Sequence, residues 1–137
     1  MVTKSKKIVL ASGTFDLLHL GHVRFLEEAK KAGNQNAKLV VIVARDSTVK
    51  AQKGKTPVMP EDQRRALVES LKVVDEAILC KEGVSIEKAI EQIKPDIIAV
   101  GHDQYSTEKK VLKAIDQKGL KIKVVTGSAE QLRAKQG

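Results

Sequence analysis

Gly13-Thr14-Phe15-Asp16-Leu17-Leu18-His19-Leu20-Gly21-His22 comes one residue after the apolar run Ile8-Val9-Leu10-Ala11. An apolar strand runs into a glycine-containing turn, and two histidines then flank a glycine where a helix begins. The N–H groups of a helix N-terminus are unpaired and carry partial positive charge, so that end attracts phosphate. Two imidazoles placed there donate hydrogen bonds to phosphate oxygens, more strongly as negative charge develops on them. A glycine between them admits a ligand close to the backbone, where a Cβ would push it away. The stretch reads as a nucleoside triphosphate site. It is neither the Walker pattern nor GxGxxG.

Working outward, apolar runs at Lys7–Ser12, Lys38–Ala44, Glu76–Cys80 and Asp96–Gly101, with a fifth at Ile122–Val125, alternate with helical patterns. Continuous β-branched runs such as Leu39-Val40-Val41-Ile42-Val43 suit strands buried on both faces of a parallel sheet. Val23, Leu26 and Ala29-Lys30 have helical spacing that ends near Gly33. Pro60 precedes a helix opening on Glu61-Asp62, two acids that suit the dipole of a first turn. A further helix runs from a Ser85 cap to Lys94, where Pro95 stops it, and another covers Thr107–Lys118 and closes at Gly119. Strand and helix alternate throughout, which predicts one doubly wound, Rossmann-like α/β domain over residues 1–137. Its sheet is parallel, with about five strands, and residues 1–6 and 134–137 read as flexible ends. In such sheets ligands sit beyond the carboxyl ends of the strands. The unusual residues all fall there.

Composition narrows the function classes. A 42% hydrophobic, 31% charged chain of 137 residues is globular and long enough for a sizeable core. At 2% aromatic content it lacks the stacking platforms of single-strand nucleic-acid binders. Its net charge of +8 is spread over helix faces without a nucleic-acid module signature, so the field suits small polyanions and no nucleic-acid partner is expected. One cysteine, Cys80, allows no internal disulfide and reads as a buried strand residue of a cytoplasmic protein. No apolar run reaches membrane-spanning length, and no membrane partner is expected.

Other candidates carry two readings each. His19 and His22 lack the further Cys/His ligands that a metal site would need, so no metal ligand is assigned. Arg45 salt-bridges or contacts a phosphate, and Asp46 or Ser47 caps a short helix. Lys50–Lys55 is a solvated loop or a lid carrying Lys50 and Lys53 to the substrate. Arg64 or Arg65 pairs with an acid or contacts transferred phosphate. Asp103, after Gly101, makes an Asx-type turn or hydrogen-bonds a ribose or base amine. Ser128 is a helix cap or a phosphate contact.

Together these residues resemble the HIGH-motif nucleotidyltransferases, specifically the cytidylyltransferase-like branch, whose signature is matched throughout Gly13–His22. Within the branch, Val43–Lys50, Pro57–Arg65, Lys94–Ile98 and Gly101–Gln104 look most like the archaeal FAD synthases. The resemblance runs from about residue 6 to residue 125.

The resemblance implies adenylyl transfer, with ATP and FMN as substrates and FAD and pyrophosphate as products. Thr14, Phe15, Leu20 and Gly21 would seat the nucleotide, His19 and His22 would bind the triphosphate as the catalytic pair, and Asp103 would contact the nucleoside. Lys50, Lys53 and Arg64 would approach phosphates, beside the phosphate alternatives already given for Arg45 and Ser128, a divalent cation (most simply Mg²⁺) would bridge the phosphates, and dimers are common among the proteins this chain resembles. The same histidines would serve cytidylyl transfer to glycerol 3-phosphate, adenylyl transfer to a pantetheine phosphate, or nucleotide binding without turnover. The chain departs from the branch near its end: where relatives carry a Ser/Thr-rich motif opening a last helix, only Thr126-Gly127-Ser128 stands.

Overall fold

The computed structural model describes residues 7–34, 36–79, 86–101, 105–128 and 131–135. Strand β1 (Ile8–Gly13) leads to helix α1 (Leu20–Ala32) and then to β2 (Lys38–Val43). Two short helices, α2 (Asp46–Lys53) and α3 (Glu61–Glu69), precede β3 (Glu76–Leu79). Next come α4 (Ile86–Ile93), β4 (Ile97–Gly101), α5 (Tyr105–Lys118), β5 (Lys123–Ser128) and β6 (Gln131–Lys135).

The strands form one sheet in the order β3-β2-β1-β4-β5-β6. The first five are parallel, as expected for a doubly wound fold. Alternate strand residues serve opposite faces. Val9 and Ala11 of β1, with Leu39, Val41 and Val43 of β2, pack against Phe25, Leu26 and Ala29 of α1 and Val68 of α3. Leu10, Val40, Ile42, Ile98 and Val100 pack on the other face against Ala89 and Ile90 of α4 and Val111 of α5. Burial on both faces is why the strands read as unbroken apolar runs. A close approach sits at the end of α1, where a Cβ on Gly33 would come within 2.6 Å of Val9 Cγ2.

Three features depart from the sequence reading. Lys50–Lys53 is the last turn of α2, closed by Gly54 in the left-handed region (φ 76°), so the expected loop begins only at Gly54. Ser128 ends a strand instead of capping a helix, and it pairs with Gln131. The segment expected to be a flexible end contributes Ala134 and Lys135 to the sixth strand, antiparallel to β5. Cys80 and Ser85 lie outside the described residues.

Because β2 lies on one side of β1 and β4 on the other, the chain reverses direction at the centre of the sheet. A crevice opens at such a switch point, beyond the carboxyl ends of the strands. The segment from Thr14 to His19 leaves β1 there and delivers α1 with its N-terminus at that edge.

Candidate active site

The two histidines build the helix start themselves. His19 is the N-cap of α1, with extended backbone, and its Nδ1 accepts the Gly21 N–H at 3.0 Å. His22 reaches back, and its Nδ1 accepts the His19 N–H at 3.1 Å. This is a capping box made from imidazoles, with histidine at both positions. In a neutral ring whose Nδ1 accepts, the proton resides on Nε2. In their neutral forms the local fold therefore favours the tautomer of each ring that carries its proton on Nε2. The rings lie 4.0 Å apart at their centroids, tilted by 36°, and Phe15 meets His22 edge-on at 5.6 Å. His19 is exposed and His22 half-buried. The first turn of α1 holds no acidic residue, so its positive end is not neutralised from within the helix.

Gly21 is also required by the turn itself. A Cβ there would stand 2.8 Å from His19 Cε1 and 3.0 Å from its Nδ1. Only glycine lets the His19 ring fold over the helix end. The turn before it is strained: Phe15 (φ 55°) and Leu17 (φ 52°) both occupy the left-handed region. Phe15 is buried beneath the site, while Leu17 and Leu20 project from it and are 57% and 62% exposed.

Behind the turn lies a charged clamp. Arg64 of α3 has no exposed surface. Its Nε donates to Met59 O at 2.9 Å, Nη1 to Thr14 O at 2.8 Å and Ala44 O at 2.7 Å, and Nη2 to Asp46 Oδ1 at 2.5 Å. One guanidinium thus joins the loop after β1, the end of β2 and both short helices. Its expected phosphate contact is corrected: a buried fork with these partners holds the walls of the site and does not line them.

Asp46 and Glu61, the first residues of α2 and α3, cap each other's helices. Glu61 Oε1 accepts the Asp46 N–H at 2.8 Å, and Asp46 Oδ2 accepts the Glu61 N–H at 3.4 Å. Glu61 Oε2 also pairs with Arg45 Nη1 at 3.0 Å, so Arg45 takes the salt-bridge alternative. Asp16 ties down the segment before α3 by accepting the N–H groups of Val58 (2.8 Å) and Met59 (2.9 Å). Partial burial raises the pKa of Asp16. The Met59 and Val58 N–H groups, the Arg64 charge and the Leu17 N–H outweigh it and hold the carboxyl below its ordinary 3.8.

The structure brings Thr14, Phe15, His19, Leu20, Gly21 and His22 into one turn and helix start. Lys50 and Lys53 are exposed on the last turn of α2. Ser128 is placed by its backbone at the end of β5, and Asp103 lies outside the described residues. Sequence reasoning missed the clamp acids Asp46 and Glu61 as a pair. The only local signal was an acid opening each of two helices, and nothing in the chain says that they face each other.

This arrangement is that of a nucleotidyltransferase domain: the chain matches the cytidylyltransferase-like family over residues 10–135 and belongs to it. It is 54% identical over 130 residues to the FAD synthase of Ferroglobus placidus, covering 95% of this chain and 78% of that protein. Identity to the FAD synthase of Methanobrevibacter smithii is 52% over 118 residues, covering 86% of this chain and 76% of that one. The crystal structure of the lipopolysaccharide core biosynthesis protein from Thermoplasma volcanium GSS1 superposes with a TM-score of 0.76 at 44% identity, covering 89% of this chain and 95% of the other.

Proposed function

We propose that this chain is an adenylyltransferase that makes FAD from ATP and FMN. The observation that carries the chemistry is the imidazole capping box, which fixes both histidines at a helix N-terminus whose first turn holds no acidic residue. The acceptor is assigned from the relatives named FAD synthase, about half identical to this chain over most of its length.

An FMN phosphate oxygen attacks the α-phosphorus of ATP in line. A new P–O bond forms as the bond to the β-phosphate oxygen breaks, and pyrophosphate leaves with that electron pair. Negative charge grows on the α-phosphoryl and leaving oxygens, where the Nε2–H groups of His19 and His22 stabilise it. The backbone at Thr14 and Phe15 and the start of α1 at Leu20-Gly21 seat the nucleotide. Asp103 contacts the nucleoside. Lys50 and Lys53 approach the phosphates, with Ser128 as a further contact, while Arg45 and Arg64 support the site from behind.

Among the described residues, no group of three or more His, Cys, Asp and Glu is placed to hold a metal ion. A divalent cation, Mg²⁺ in this reading, would accompany the ATP phosphates and offset part of their charge. Cytoplasmic residence and a homodimer complete the reading; sedimentation velocity tests the latter.

The test offers ATP or CTP with FMN, glycerol 3-phosphate and phosphopantetheine in turn and measures pyrophosphate. Release with ATP and FMN, with FAD on the chromatogram, is the expected result. Release only with CTP and glycerol 3-phosphate would keep the mechanism and overturn the flavin assignment. Silence with every pair would leave a binding module.

A further inference from the structure

Leu17, Leu20, Val58 and Leu67 are the large hydrophobic side chains exposed among the described residues; the first two belong to the turn and helix start that carry His19, and Val58 is tied to that turn through its backbone. Leu17 stands two residues before His19 and Leu20 directly after it. Val58, 73% exposed, is drawn to the same turn because Asp16, the neighbour of Leu17, holds the Val58 N–H at 2.8 Å. Single exposed leucines need no explanation, but a cluster at the rim of a ligand site does. Leu17 adds a second cost, because a leucine at φ 52° occupies a conformation that Asn or Gly would adopt with less strain. Neither its exposure nor its backbone helps the fold.

We infer that Leu17, Leu20 and Val58 form the platform on which the planar ring system of the acceptor lies, beside the histidines that hold the transferred phosphate. The inference rests on the reading of FMN as acceptor. An isoalloxazine ring needs an apolar face, and the aromatic that the site turn offers cannot supply one: Phe15 is 4% exposed beneath His22. Aliphatic side chains at the mouth take that role. Their position next to the helix N-terminus lets one ligand lay its ring on the rim while its phosphate reaches the imidazoles. The specificity of the enzyme for a flavin over a small phosphomonoester is then written in three aliphatic residues.

Leu17→Asn and Val58→Ser test this. Asn suits the left-handed backbone, so Leu17→Asn is expected to melt at or above the wild-type temperature, which separates a lost ligand contact from a lost fold. FAD formation should show KM for FMN raised about tenfold in each variant, the scale of one aliphatic side chain no longer covered. KM for ATP should stay within about twofold of wild type. Riboflavin, which carries the ring without the phosphate, should inhibit the wild type competitively against FMN and lose about tenfold in potency against both variants. Leu67→Ser, well along α3 from the rim, should change none of these. An unchanged KM for FMN in both variants would overturn the platform while leaving FAD synthesis standing. A raised KM for ATP alone would put the adenine there instead. A wild-type protein that forms no FAD would overturn the FMN reading and the platform with it.

Discussion

Replacing Arg64 with methionine keeps much of the side-chain volume and removes every donor. Three backbone carbonyls of half-buried residues, Met59 O, Thr14 O and Ala44 O, then lose partners at 2.9, 2.8 and 2.7 Å around a side chain that itself has no exposed surface. Each orphaned, partly buried acceptor costs about 1 kcal/mol, the low end of the usual range, giving about 3 kcal/mol for the three. Asp46 adds less than a buried partner would, because its side chain is 36% exposed and rehydrates when abandoned. For a domain of this size about 3 kcal/mol lowers Tm by about 12 °C. Arg64→Lys discriminates the clamp from a phosphate contact. A lysine retains charge for a phosphate, but its ammonium cannot satisfy four acceptors arranged for a planar fork. Thermal melting by circular dichroism should therefore show both variants well below wild type. A Met variant within about 4 °C of wild type, or full rescue by lysine, would refute the reasoning.

His22→Ala should lower the rate of FAD formation by about 10²–10³-fold, the scale of losing one transition-state donor, and cost about 1 kcal/mol of stability with the capping bond; near-normal turnover would remove the imidazole from the mechanism. Gly21→Ala should cost about 10²-fold in kcat and about 1 kcal/mol of stability, because the new Cβ meets the His19 ring at 2.8 Å; steady-state kinetics and urea melts check both. The pKa of Asp16 is depressed by folding, so its contribution to stability is present above its unfolded value of 3.8 and is lost as pH falls through the lower folded value. Asp16→Asn should flatten the acid limb of stability against pH, read as urea midpoints between pH 7 and pH 3, and an acid limb identical to wild type would contradict the link.

Much of the architecture was legible because burial on both faces leaves a simple mark. The run Leu39–Val43 suited a strand buried on both faces of a parallel sheet, which β2 is, and the Pro60 and Gly119 boundaries were obeyed by α3 and α5. The misses share a cause. Gln131-Leu132-Arg133-Ala134-Lys135 alternates with the period of a strand, yet its residues are good helix formers, and pairing with β5 overrides that preference. Lys50–Lys55 read as a lysine-rich loop, although lysines followed by glycine also mark a helix C-terminus, which is what Gly54 makes after Lys53. At the site, the histidine pair and its helix were legible as a local motif. The clamp was not, because Arg64 meets Thr14 across 50 positions and Ala44 across 20, and only tertiary structure shows that its charge faces inward.

The most direct measurement follows the label from ATP carrying ³²P at the α-phosphorus, mixed with FMN and the protein. The account predicts that label appears in FAD one-for-one with unlabelled pyrophosphate, and that His19→Ala and His22→Ala slow both together. Label that stays in ATP, or transfer that the two histidine variants leave untouched, would contradict it.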